Sequence, residues 1–479
     1  MRADSLSFPG LYTVANAAGP LVSVPDKSRY AINSFYGLLS SSFRDYLFLD
    51  LTARQDWSSV LATPERTTNS GFFYPSANVS FVFSELFTLP RAVTFAKIRG
   101  SVSAVGSGGT TPYRTSYNYL TAGGGLYPGG GLYNPTLLPN VNLKPLLTTT
   151  YEAGLDIRLF DSRLGIDLAV YKGNTKNQIL SRVVDRSSGY FQTLINAGQV
   201  NNSGVEVALN GTPIKSAGGF KWTAFGTFSS NKNTVAELAD SAVILRTGPV
   251  GGGQIVAQVG GSMGDMYGRG YVRSPSGEVV YDETTGFAKI SSDVLYLGNT
   301  IPKYRFSLGN EFSYKGVRLN VLFDAQLGAV AHSLMNYKMA EQGKLKVTLP
   351  GRYNGIIGNG VIQNPDGSYR PNDVTTYDID EYYRSHMGID NAEGSTFSTD
   401  FLKFREARLD YTLKGDLVKR LGLERASIGA YGRNLFIWSP WPMFDPEFGT
   451  LSGTDIVTGF EIGQFPSTRT FGLNLIIGL

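Results

Sequence analysis

The sequence predicts an all-β protein: a transmembrane antiparallel β-barrel wall with long extracellular loops. Segments of about ten residues alternate apolar and polar side chains along the chain, the length a tilted strand needs to cross a bilayer. The segments between them alternate short and long, as the turns and external loops of outer-membrane barrels do. Composition agrees. Charged residues make up 17% of the 479, against roughly 25% in soluble domains. Glycine (57) and aromatic residues (12%) are abundant, which suits many turns and aromatic girdles.

Taken in order, each strand shows one apolar and one polar side, because residues i, i+2 and i+4 share a face. After a first strand over Ser28–Phe43, Leu47, Leu49, Leu51 and Ala53 oppose Tyr46, Asp50, Thr52 and Arg54. Ala96, Ile98, Gly100 and Val102 oppose Lys97, Arg99 and Ser101, and Leu155 and Ile157 oppose Asp156 and Arg158. Leu164, Ile166, Leu168 and Val170 oppose Arg163, Gly165 and Asp167. Tyr304, Phe306, Leu308 and Phe312 oppose Arg305, Ser307, Gly309 and Glu311; Val317 to Leu327 follow the same rule against Arg318, Asn320, Asp324 and Gln326. Ala426, Ile428, Ala430 and Phe436 oppose Arg425, Ser427, Tyr431 and Arg433, and the last strand, Thr468–Leu479, sets Phe471, Leu473, Leu475 and Ile477 against Thr470, Gly472 and Asn474. Sandwich strands are nearer 5–6 residues and do not need this length. Apolar rows are expected to face lipid and charged rows a wet lumen, where Arg54, Arg99, Arg158, Arg318 and Arg433 mix with Asp50, Asp156 and Asp324 as an internally ion-paired wall.

Short turns are predicted near 42–45, 85–90, 161–162, 213–218, 314–316 and 414–423, and long loops over 61–70, 106–147, 177–201, 231–302, 331–399 and 440–467. Ser333–Gly343 is the one short helix expected, inside a loop. Counting gives about thirteen strands, an odd number where single-chain bacterial barrels use even ones. The opening MRADSLSFPG lacks the apolar core of a secretory signal. These two points lead to the expectation that the chain is the C-terminal part of something longer, with a wall strand hidden in 189–199 or 279–297 as the alternative.

Catalytic motifs are absent from the sequence: there is no nucleophile elbow, zinc-protease motif or phosphate-binding GK[ST] after the glycine runs, and no cysteine. His332 and His386 read as two exposed loop residues rather than metal ligands. Asp378, Asp380 and Glu381 offer oxygens for Ca²⁺ without the EF-hand order of ligands and glycine. No catalytic residue, metal or cofactor is expected, and a net charge of +4 gives no reason to expect nucleic acid. Substrate contact is expected from loop aromatics, which stack on sugar rings or pack on peptides: Tyr119, Tyr127 and Tyr133 in one glycine-rich loop, Trp441 and Phe444 in another.

Several stretches, in order, carry a family resemblance: YLFLDLTARQDWS (46–58), LPNVNLKPLLTTTYEAGL (138–155), AGQVNNSGVEV (197–207), LGNTIPKYRFSLGN (297–310), FLKFREARLDY (401–411), RNLF (433–436), FDPE (444–447) and PSTRTFGLNL (466–475). Together they resemble SusC/RagA-type TonB-linked outer-membrane proteins across nearly the whole chain. The resemblance implies a 22-stranded barrel of which about thirteen strands are here, with a plug and a TonB-contacting region upstream. Residues 1–27 then read as an extracellular loop segment and 28–479 as the C-terminal barrel portion. It further implies a Gram-negative, Bacteroidetes-like outer membrane, a SusD-like surface lipoprotein partner, and TonB-dependent uptake of oligosaccharides or peptides. The alternative is a passive porin or structural surface barrel without energy coupling.

Overall fold

Thirteen strands form one continuous antiparallel sheet in a computed structural model that describes residues 5–11, 13–19, 28–63, 66–122, 131–240, 242–248, 253–413, 415–420, 422–448 and 458–478. The strands are β1 Ile32–Phe43, β2 Leu47–Ser58, β3 Gly71–Val82, β4 Val93–Ser107, β5 Leu146–Leu159, β6 Leu164–Lys176 and β7 Gln199–Lys215. They continue as β8 Lys221–Glu237, β9 Tyr304–Tyr314, β10 Val317–Leu327, β11 Phe401–Thr412, β12 Arg425–Trp438 and β13 Thr470–Gly478. Each pairs with its predecessor in the chain, an up-and-down meander. Glycine runs 123–125 and 251–253 lie almost wholly outside the described residues.

The register separates the two faces. Partners across an antiparallel ladder point the same way. One row runs Phe43, Leu47, Phe81, Ile98, Leu155, Leu168, Val207, Phe228, Phe306, Ala325, Leu402 and Trp438, one apolar residue from each of β1 to β12. The next row, pointing the other way, runs Ser80, Arg99, Gly154, Ala169, Glu206, Ser229, Arg305 and Gln326. Such a contrast is what hydrocarbon on one side and water on the other selects. The apolar row starts beside the first short turn and ends at the long-loop end of β12, as tilted strands require.

Turn chemistry fits the hairpins. Lys315 and Gly316 (φ 46° and 92°) make a tight two-residue loop with positive φ, whose twist matches the flanking strands, and Arg44 and Asp45 (φ 48° and 58°) open a three-residue loop that Tyr46 completes. A Cβ on Gly316 would also meet the Thr412 carbonyl at 2.8 Å. Toward the turn end of the apolar face stands Asn310, whose Oδ1 accepts a 3.0 Å hydrogen bond from the Trp222 indole. A lone amide in lipid is costly unless bonded. Trp222→Phe is expected to destabilise the wall by about 1–3 kcal/mol, read as a lower urea midpoint in bilayers; an unchanged midpoint would show that Asn310 needs no partner.

The long connections are not open coil. Between β8 and β9, strands Ala242–Thr247, Gln254–Gln258, Asp265–Gly268 and Leu295–Asn299 form their own sheet. Their core holds Val243, Ile255, Ala257 and Met266 with Val235 and Phe460. The proposed hidden wall strands belong to this loop layer: Gln192–Asn196 pairs with Ile179–Val183, and Val280–Tyr281 with Val361–Gln363. Helix α1, Leu334–Glu341, lies inside the expected 333–343, its first turn capped by Ser333, which accepts from the Asn336 amide. A further loop helix, α2 Ile379–Met387, was not expected, nor were the short helices Phe83–Leu86 and Gly415–Arg420 where turns were predicted. Asp378 caps α2 by accepting from the Glu381 amide at 3.1 Å, so part of the carboxylate set considered for Ca²⁺ serves a helix start.

The expectation that His332 and His386 are exposed is wrong. His332 is 1% exposed against Phe460, and burial pushes it down to about 4, so it is neutral. His386 packs among Tyr271, Tyr281 and Tyr382. Its Nδ1 lies 2.8 Å from the Tyr382 carbonyl, which fixes the proton there, and Nε2 accepts from the Tyr281 hydroxyl at 2.9 Å. Both rings are core of the loop layer because folded loops bury what an extended loop would expose.

Candidate functional site on the polar face

The polar row is an ion-paired surface. Arg99 grips Asp167 with two bonds of 2.8 and 3.0 Å, Arg54 meets Asp56 at 2.7 Å, and Arg433 meets Glu406 at 2.8 Å. Arg318 lies 3.6 Å from Asp410, and Arg158 lies 3.8 Å from Asp156. Each of the five arginines singled out in the sequence thus has an acidic partner on its own face.

A β-bulge concentrates charge on β11. Leu322 pairs with Glu406 but Phe323 with Phe404, which leaves Arg405 as the extra residue. Bulges re-aim side chains. Here Arg405 reaches Asp324 on the polar face (2.6 Å), while Phe404 stacks between Phe323 and Phe436 on the apolar one. Lys403, Arg405, Glu406, Arg408 and Asp410 therefore all serve the polar side. A signal for this was in the sequence: FREARLD breaks strict alternation.

After β12 the chain folds back as a strap, residues 439–448, held by these charges. Lys403, 4% exposed at its side chain, donates to Asp445 at 2.6 Å and to Glu447. Arg405 donates to Glu447 at 2.6 Å. Burial pushes both strap carboxyls up, but hydrogen bonds outweigh it and hold them below the usual range: Lys403 and Ser467 at Asp445, Arg405 and Lys403 at Glu447. The strap, Asp324, Gln326, Phe401 and Arg305 border a cavity of about 580 Å³ at the long-loop end of β9 to β11. The segments FLKFREARLDY and FDPE, about forty positions apart, bind each other here, a pairing that no local pattern in the sequence signals.

The predicted aromatic contacts fall into two groups. Tyr119 and Tyr133 are exposed on a small hairpin, Leu120–Ala122 with Gly131–Tyr133, in which Leu120 faces Tyr133. Tyr127 lies outside the described residues. Phe444 is 58% exposed on the strap, whereas Trp441 is 6% exposed, edge-on to Phe397 and tilted on Phe448. Trp441 thus anchors the strap and offers a ligand almost no surface. Among the described residues no ring contact joins hairpin to strap.

Residues 3–435 match the family described as TonB dependent receptor-like, beta-barrel. The chain belongs to that family. The chain is accordingly an outer-membrane β-barrel wall. It is 26% identical to TonB-dependent receptor P26 of Formosa agariphila, over 94% of this chain and 46% of the relative. A second relative there, TonB-dependent receptor P3, is 25% identical over 92% of this chain and 45% of its own length. The chain thus spans about half the length of the curated relatives it matches. Among solved structures, the RagAB peptide transporter superposes with a TM-score of 0.73 at 18% identity, over 94% of this chain and 48% of the other. That likeness shows a shared fold. No group of three or more His, Cys, Asp or Glu suited to a metal occurs among the described residues.

Proposed function

We propose that this chain is the C-terminal portion, residues 28–479, of the barrel of an energised outer-membrane importer, with 1–27 as an extracellular loop segment. It takes up an oligomeric nutrient, oligosaccharide or peptide, through TonB coupling supplied by an N-terminal region and with a SusD-like surface lipoprotein as partner. The observation that carries this reading is the polar, ion-paired face ending in a cavity beneath folded, aromatic-bearing loops. A passive pore needs no such packed layer. Family membership supports energy coupling, and the fold shared with the RagAB peptide transporter supports an oligomeric cargo.

Tyr119, Tyr127, Tyr133 and Phe444 are the cargo contacts in this reading, and Trp441 supports them as the strap's anchor. Each aromatic contact is worth about 1 kcal/mol, so Phe444→Ala is expected to raise the half-saturation concentration for uptake by roughly three- to tenfold. The test is uptake of labelled oligosaccharide or peptide mixtures by cells producing the protein, with and without a proton-motive-force uncoupler. Uptake that survives the uncoupler would establish a passive pore instead.

A further inference from the structure

We propose that the apolar face of β3 to β8 carries a seat for one anionic lipid of the outer leaflet, its headgroup a phosphate monoester. This rests on the membrane-facing assignment of that face and not on the nature of the cargo. A hollow of about 700 Å³ opens there, bordered by Ala77, Val79, Gly100, Tyr151, Ala153 and Val170. Its floor is Gly100, and the protein itself gives no reason for a glycine at that position. An added Cβ would have only the Glu152 carbonyl within reach, at 4.0 Å. A glycine inside a strand weakens it and marks a place where something approaches the backbone closely. Here the approaching group comes from outside the sheet.

Directly above the hollow, toward the long-loop end, the cross-strand register reads Val102, Tyr151, Lys172, Ser203 and Lys232. Lys172, Ser203 and Lys232 are all exposed. The two lysines stand two strands apart, about 10 Å, so their flexible stems can converge on one phosphate with the Ser203 hydroxyl between them. No carboxylate stands in this row, in the row below (Val79, Gly100, Ala153, Val170, Val205, Ser230) or in the row above (Ala104, Thr149, Asn174, Asn201, Thr234). On the opposite face, by contrast, Arg54, Arg99, Arg158, Arg318 and Arg433 each stand beside an acid. Lys172 lies eight residues from Leu164 at the turn end of β6. With about 3.4 Å per residue and a tilt near 40°, that is about 20 Å of depth, close to the outer edge of a band about 25 Å tall. Headgroup phosphates lie at that depth. A phosphate on Lys172 and Lys232 would place an acyl chain against Tyr151 and down the hollow over Gly100.

The experiment is native mass spectrometry of the detergent-solubilised protein titrated with phosphatidate, chain-matched phosphatidylcholine, or inorganic phosphate. One phosphatidate is expected to stay bound at least tenfold more tightly than phosphatidylcholine. Lys172→Gln with Lys232→Gln is expected to abolish that preference, and Gly100→Leu to weaken both lipids about equally. Both lysines are exposed surface residues, and heat-modifiable electrophoretic mobility checks that each variant is folded. Equal retention of the two lipids by the unmodified protein, or an unchanged preference in the double variant, overturns the proposal. Displacement of phosphatidate by an equimolar amount of inorganic phosphate also overturns it, because the seat would then be for a free anion.

Discussion

Replacing Lys403 with methionine is expected to release the strap that follows β12. Lys403 is buried, and its ammonium serves Asp445 and Glu447 together. Removing one member of a buried ion pair costs about 3–5 kcal/mol, mostly because the partners are left uncompensated. Arg405 still reaches Glu447, so about 3 kcal/mol is the fair expectation here. That corresponds to amide exchange roughly a hundredfold faster across residues 440–448, since local opening sets the rate. Trp441 should lose its protection from Phe397 and Phe448 at the same time, seen as a red-shifted emission component. Uptake should fall with it if the strap shapes the cavity. Acid should mimic the variant. Asp445 and Glu447 are held below their ordinary values, so their contribution is complete at neutral pH and persists as pH falls to about 4. It is lost only as pH drops further, through their lowered values. Exchange at 440–448 that is unchanged in Lys403→Met would show that the strap is held by its aromatic anchor alone.

Leu168→Arg and Ser229→Arg place the same charge on the two faces of the wall. Leu168 stands mid-strand in the unbroken apolar row, whereas Ser229 lies in the polar row, paired with Glu206 and Arg305. An arginine facing lipid near the midplane costs about 2–4 kcal/mol, and one facing the lumen costs little. Leu168→Arg should therefore cut the amount of heat-modifiable protein in outer membranes severely and lower the urea midpoint. Ser229→Arg should leave both near the starting value. Equal losses would mean that the two faces meet the same solvent.

The wall was legible in the sequence because its information is local. A period of two decides which side chain faces lipid, and neighbouring residues set each turn; Arg44–Asp45 and Lys315–Gly316 announce their hairpins within a few positions. The long-loop layer was not legible, because its contacts join residues far apart. Tyr271 donates to the His386 carbonyl across 115 positions, and Lys403 meets Glu447 across 44. No periodicity records such pairings. His332 and His386 look exposed in a polar loop until the loop acquires a core. Asp378 looks like a cation ligand until it is seen capping a helix. The bulge at Arg405 falls between these cases: its phase slip is written in FREARLD, but only the register with β10 tells which residue is extra.

The most direct test of the two-faced wall uses the absence of cysteine from these 479 residues. Residues 205–210 of β7 are replaced by cysteine one at a time in the protein as it sits in outer membranes. Glu206, Ala208 and Asn210 positions should react with a water-soluble maleimide, while Val205, Val207 and Leu209 positions should react only with a lipid-soluble one. Uniform reactivity along the six positions, or reaction of Val207 with the water-soluble reagent as fast as Ala208, would contradict the account.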